Sequence, residues 1–307
     1  MRRASAALFA LLIAALALTA CGDDSTLDTG SGGGSSTSTP VTTGTGSSSD
    51  AVLKITVGGG FVPFGADFAA VPVLVLRDGT VFTAGMVPAI YPGPALSAPL
   101  TGTLPDGELQ KLLDEAKAAG LASKGLDVGQ RNDIADAGTT VIEVELDGEQ
   151  HTTSAYALSE AEGPGGGLTA AQAATRTKLA KLVDDVRSAV GLAAKDPYQP
   201  HQYQVLATKI DPSAGAGVDE PIKPNDVDWP FDATTLPFPA TGGCVDIGTA
   251  RAPAFEKALE KANAATHWHA EGDTWQLVIR VLLPGDPSCA DLDLTGPQDA
   301  PAGAAAS

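Results

Sequence analysis

Apolar positions along the chain fall into three regimes. They are continuous from Ala6 to Leu18, nearly vanish over 22–50, and become periodic from 51 onward. Residues 52–57 read as a first strand, ended by Gly58-Gly59-Gly60. Val73-Leu74-Val75-Leu76 is apolar on both faces, so a strand over 72–77 should be covered on both sides. It pairs with 80–84 across Asp78-Gly79, expected as a two-residue turn of the I′ kind. The stretch 86–103, with four prolines, reads as an irregular connection. Leu109, Leu112, Leu113 and Ala116 recur at helical spacing between Pro105-Asp106-Gly107 and Gly120. A second hairpin spans 139–146 and 149–158 around Asp147-Gly148. Ile142, Val144 and Leu146 take one face there while Glu143 and Glu145 take the other, leaving one side wet. After the glycine-rich break at 163–167, Thr169 and Gln172 carry the capping box of a helix running to about Val190.

A boundary follows at 196–200. A strand is expected over 203–210, then about forty residues of little regular pattern, a length that usually marks function or poor order. Phe255, Ala258, Leu259 and Ala262 form a helical stripe, and Trp275, Leu277, Ile279 and Val281 alternate along a last strand. Pro284-Gly285-Asp286-Pro287 closes it. These elements predict an α+β fold, antiparallel hairpins packed against a few helices, behind a disordered N-terminal tether. The expected organisation is a signal peptide at 1–20, a tether at 21–50 and an α+β domain at 51–197. A smaller α+β domain or subdomain with a disulfide follows at 198–292, then a disordered tail at 293–307.

Ahead of the periodic region, Met1-Arg2-Arg3 is a short positive segment before the apolar run. That run of about 13 residues suits a signal peptide and falls short of the roughly 20 needed to span a bilayer. It ends in Leu18-Thr19-Ala20-Cys21, which resembles the bacterial lipobox. The resemblance implies that the Cys21 thiol receives a diacylglycerol and becomes the first mature residue. Two acyl chains suffice for stable anchoring at about 0.8 kcal/mol per buried CH₂. The Gly/Ser/Thr segment behind it has almost nothing to bury and should stay a coil with an r.m.s. reach of roughly 30 Å. Its Ser/Thr content with Pro40 also suits O-linked sugar.

Charge narrows the partners. The chain carries 19 Lys and Arg against 37 Asp and Glu, a formal net charge of −18. Loss of Arg2 and Arg3 with the signal leaves 17 against 37, or −20. With no basic cluster to neutralise phosphates, nucleic acid is an unsuitable partner, and anionic headgroups are repelled. Of the three cysteines, Cys21 is taken by lipid. Cys244 and Cys289 remain as an even pair in an oxidising compartment, where a disulfide is the default.

Candidate chemistry is sparse. His267-Trp268-His269 places two imidazoles on one face of an extended segment, a geometry that suits Zn or Cu. The plainer alternative has Trp268 packed inward at a helix-to-strand turn, and no metal is assigned. Asn225, Asp226, Asp228 and Asp232 surround Trp229-Pro230 but lack the central Gly and terminal Glu of a calcium loop. The glycine runs at 58–60 and 163–167 lack the context of nucleotide sites. No G-x-S-x-G elbow occurs. No catalytic residue and no cofactor is expected.

The lipobox, the tether, Val75-Leu76-Arg77-Asp78-Gly79-Thr80, Asp228-Trp229-Pro230, and the segment from Arg280 through Pro284-Gly285-Asp286-Pro287-Ser288-Cys289 together resemble uncharacterised secreted lipoproteins of actinobacteria. That resemblance implies no activity. The expectation is a lipid-anchored surface protein on the extracellular face of the cell membrane. It would act as a non-enzymatic module binding a protein, a wall polymer or a small ligand. A solute- or metal-binding lipoprotein serving a transporter is the alternative, and a wall-active hydrolase a second one.

Overall fold

A computed structural model of the chain describes residues 50–63, 65–131, 133–160, 166–211, 224–232 and 242–292. The lipobox with Cys21, most of the tether, part of the 163–167 break and the tail after 292 lie outside the described residues. The fold is α+β, with two sheets and four helices among the described residues.

The larger sheet has seven strands. β1 (Ala51–Gly58), β2 (Val73–Leu76), β3 (Thr80–Ala84) and β4 (Pro99–Thr103) come first, with the short helix α1 (Ala66–Ala69) between β1 and β2. The helix α2 (Glu108–Ala119), β5 (Thr139–Leu146), β6 (Glu149–Tyr156), the helix α3 (Ala170–Ala193) and β7 (Ala194–Pro197) complete this half. Its order is β6-β5-β1-β2-β3-β4-β7, antiparallel throughout. The smaller sheet contains β8 (Tyr203–Lys209), β9 (Asp226–Asp228), β10 (Gly243–Ile247), β11 (His267–Ala270) and β12 (Asp273–Val281), with the helix α4 (Ala252–Leu259) preceding β11. Its order is β10-β8-β12-β11-β9, with only β11 and β9 parallel.

Period-two patterning explains the layering. Leu53 and Ile55 of β1, Val75 of β2 and Ile142 and Val144 of β5 share one face. They are buried against Leu112 and Ala116 of α2 and Leu179, Leu182, Val183 and Val186 of α3. Leu74 and Phe82, on the opposite face, join a second core with Tyr203, Val205, Ile279 and Phe255 of the smaller sheet and α4. The strand expected to be covered on both sides is so covered. On β5, burial alternates residue by residue, as its pattern requires.

Three readings of the chain need correction. The region 86–103 is not wholly irregular, because β4 forms at its end. There Gly102 packs so closely on the end of α3 that an added Cβ would lie 2.1 Å from the Ala193 carbonyl oxygen. Within the long stretch after β8, β9 and β10 form. Finally, Asp78-Gly79 is not a I′ turn. Only Gly79 has positive φ, and its N–H donates to Leu76 O, so the loop is a three-residue type with glycine in the left-handed position. Asp147-Gly148 does have both residues at positive φ, at 55° and 81°. The same geometry recurs unannounced at Glu271-Gly272 between β11 and β12.

The capping box forms as expected. Thr169 Oγ1 accepts from the Gln172 N–H and Gln172 Oε1 accepts from the Thr169 N–H. One turn later the buried Arg176 donates to the carbonyls of Tyr156 and Ala157 at 2.6 and 2.8 Å, pinning α3 to the end of β6. Burial, and then repulsion from Arg131, push the Arg176 guanidinium below its ordinary pKa. Arg176→Ala is expected to cost about 2–3 kcal/mol, since it orphans buried carbonyls. Urea unfolding checks this; a loss under about 0.5 kcal/mol would mean that water serves those carbonyls equally well.

Candidate functional site

The disulfide joins Cys244 of β10 to Cys289, whose Cα atoms lie 5.5 Å apart across a separation of 45 residues. It holds the segment after β12 against the smaller sheet. Pro287 O accepts from Gln204 Nε2 at 2.8 Å, and the Cys289 N–H donates to Asp246 Oδ2 at 2.9 Å. Gln204 is fully buried, and its Nε2 also donates to Asp246 Oδ1 at 2.7 Å. Its remaining oxygen accepts from Arg280 Nε at 2.7 Å. A closed polar network thus fixes the guanidinium of Arg280, which also lies 4.8 Å over the ring of Phe68 in α1, in cation–π range.

Arg280 faces a groove of about 850 Å³ between the outer half of β1, the connection from α1 to β2, and the end of β12. The opening exists because β2 is short. Val73 pairs with Ile55, so Thr56, Val57 and Gly58 have no β2 partner. On that side the floor is apolar, with Val57, Val71, Val73, Val141, Val281 and Leu283 among its lining.

Three cations line the groove, Lys54, Arg187 and Arg280, against two carboxylates, Asp67 and Asp286, with Asp246 acting on Arg280 from behind the lining. Both carboxylates are engaged. Asp67 accepts from the Gly59 N–H at 2.8 Å, and Asp286 accepts from the Leu283 N–H at 3.0 Å while pairing with Lys54 at 3.7 Å. The guanidinium is not fully served, because Arg280 Nη2 is buried with no hydrogen-bond partner. Burial lowers the Arg280 pKa, and Asp286 and Asp246 only partly offset it. A buried donor on a charged group left unmet costs about 1–3 kcal/mol or more. With Asp246 counted, three cations meet three carboxylates here, in a chain with a net charge of −18.

The residues singled out from the sequence lie elsewhere. His267 and His269 do share a face of β11, alternating with the buried Trp268 and Ala270. His269 Nε2 sits 2.9 Å from Asp226 Oδ1, and its Nδ1 lies 3.4 Å from Thr274 Oγ1. No group of three or more His, Cys, Asp or Glu among the described residues is placed to hold a metal ion. In the acidic loop, Trp229 is buried and Asn225 bonds Lys261 O and Thr266, tying the loop to the turn before β11.

In the sequence Arg280 stood out only inside a motif of resemblance, Asp286 only there and in the turn closing the last strand, and Lys54, Asp67, Phe68 and Gln204 not at all. The available signal was one charge, Arg280, opposite the apolar stripe of β12, which by itself reads as a solvated position. Compared with known protein families, curated proteins and solved structures, the chain matches none.

Proposed function

We propose that the protein is a lipid-anchored, extracytoplasmic binding module, tethered through Cys21, whose groove holds a small ligand without altering it chemically. The observation that carries the binding reading is the Arg280 guanidinium, held with an unmet donor in a groove whose carboxylates are already engaged. Among the described residues the lining includes no serine, cysteine or histidine, and its hydroxyls are those of Thr56, Thr83 and Thr139. That composition favours holding over acyl or glycosyl transfer, which require an activated nucleophile or a free carboxylate pair. Volume also favours a small molecule over a wall polymer, since small-molecule sites span roughly 300–1,000 Å³. Delivery of that ligand to a transporter is a second reading that the size supports.

The anchor rests on the lipobox, and no described helix is long and apolar enough to cross a membrane. Cys21→Ala is expected to move the protein from the membrane fraction to the medium. Mass spectrometry of the wild-type N-terminus should show a diacylglyceryl cysteine; an unmodified Cys21 would sink the anchor. For the groove, thermal-shift screening of the full chain against small molecules should give hits that Val57→Asp removes, Val57 being an exposed lining residue (42%). A screen whose hits survive that change would move the ligand elsewhere.

A further inference from the structure

The groove also indicates what kind of molecule it takes. We infer that its ligand is an aliphatic anion, an apolar chain ending in a single carboxylate. This rests on the binding reading above and narrows it.

Two observations converge on that chemistry. First, a carboxylate accepts two parallel N–H bonds from a guanidinium fork. Arg280 has Nε committed to Gln204 and Nη2 buried and unmet, so Nη2 is the donor the protein itself leaves unserved. The network through Gln204, Asp246 and Pro287 holds the fork in place before any ligand arrives, which reduces the ordering cost of binding. Second, Val57, Val71, Val73, Val141, Val281 and Leu283 make up much of the remaining wall.

β1 and β3 run in the same direction, since each is antiparallel to β2, and both end at the groove, through Gly58 and Gly59 and through Thr83 and Ala84. The loops leaving these ends carry Phe61 at 93% exposure and Met86 at 96%, with Val62, Val87, Ile90 and Tyr91 also exposed. An apolar tail against the valines of the lining, with its carboxylate at Arg280, meets the apolar wall and the guanidinium together, whereas a sugar or a cation would leave one of them unserved.

Isothermal titration calorimetry of the full chain with decanoate, methyl decanoate and decylamine tests this. Decanoate should bind roughly 10- to 100-fold more tightly than its methyl ester, the worth of one charged hydrogen-bonded pair, and decylamine should be weaker still. Arg280→Gln should lower decanoate affinity by a similar factor while leaving the ester unchanged, and Arg280→Lys should lose less. Should Arg280→Gln fail to fold, Val57→Asp supplies the check, because a negative charge on the exposed strand end should abolish decanoate binding. Equal binding of acid and ester, or preference for the amine, with sensitivity to Val57→Asp intact, overturns the anion and leaves the groove a binding site. Binding of none of the three, when other small molecules give hits that Val57→Asp removes, overturns the anion alone. Absence of any Val57→Asp-sensitive ligand overturns both.

Discussion

Trp268→Ala is expected to lower the unfolding free energy by about 3–5 kcal/mol, the range for emptying a buried large aromatic site. Trp268 is 1% exposed and stands at the centre of the second core. Its ring lies 6.1 Å from Phe255 and 6.2 Å from Trp229, and Phe255 lies 5.5 Å from Tyr203. Such edge-to-face and tilted pairs contribute about 0.5–1.5 kcal/mol beyond the area they bury. The dependence is heavy because aromatics make up only 5% of the chain, and this cluster concentrates them where β8, β9, β11 and α4 meet. Thermal unfolding should show a drop on the order of 10 °C for a domain of this size. The neighbouring change His269→Ala serves as comparison. It removes an exposed contact to Asp226, so its cost should stay within about 1 kcal/mol. Equal losses for the two variants would mean that the His267-Trp268-His269 motif matters through its imidazoles rather than its indole.

The contrast at that motif shows what kind of information a sequence of this sort carries. Alternation told inside from outside on β5 and β12, because burial of one sheet face is a local, period-two property, while β11 reads from its sequence as a turn. Likewise Leu74 and Val75 announced a strand covered on both sides. Turn geometry was less legible. Asp78-Gly79 and Asp147-Gly148 are the same dipeptide with different φ at the aspartate, because strand length and register choose the turn along with its residues. β4, β9 and β10 escaped notice, being three to five residues long and formed only because longer strands offer them an edge. The groove was not legible at all. Lys54, Phe68, Arg280 and Asp286 lie on four segments, and their meeting depends on a gap left by a short β2 and on a tail held by a disulfide.

Loss of that disulfide is expected to be the other large effect. The double change Cys244→Ser with Cys289→Ser should cost up to about 4 kcal/mol, the loop-closure entropy returned to an unfolded chain by releasing a loop of this length. Beside the bridge the segment is tied by the hydrogen bonds from Gln204 to Pro287 O and from the Cys289 N–H to Asp246. Among the described residues β10 is an edge strand paired only with β8, and Cys289 sits in a single 3-10 turn, Cys289–Asp291, with no buried residue. The consequence reaches the groove, because the freed segment carries Asp286, the partner of Lys54, and Pro287, whose carbonyl holds Gln204. With Gln204 loosened, Arg280 loses its anchor. Denaturant unfolding of the double variant measures the stability loss, and hydrogen exchange should show faster opening confined to 283–291 and β10. Decanoate affinity should fall in this variant even at temperatures where it remains folded. A variant that loses less than about 1 kcal/mol and binds as before would show that the segment after β12 is held by its hydrogen bonds to Gln204 and Asp246, with the sulfur bridge superfluous to both fold and site.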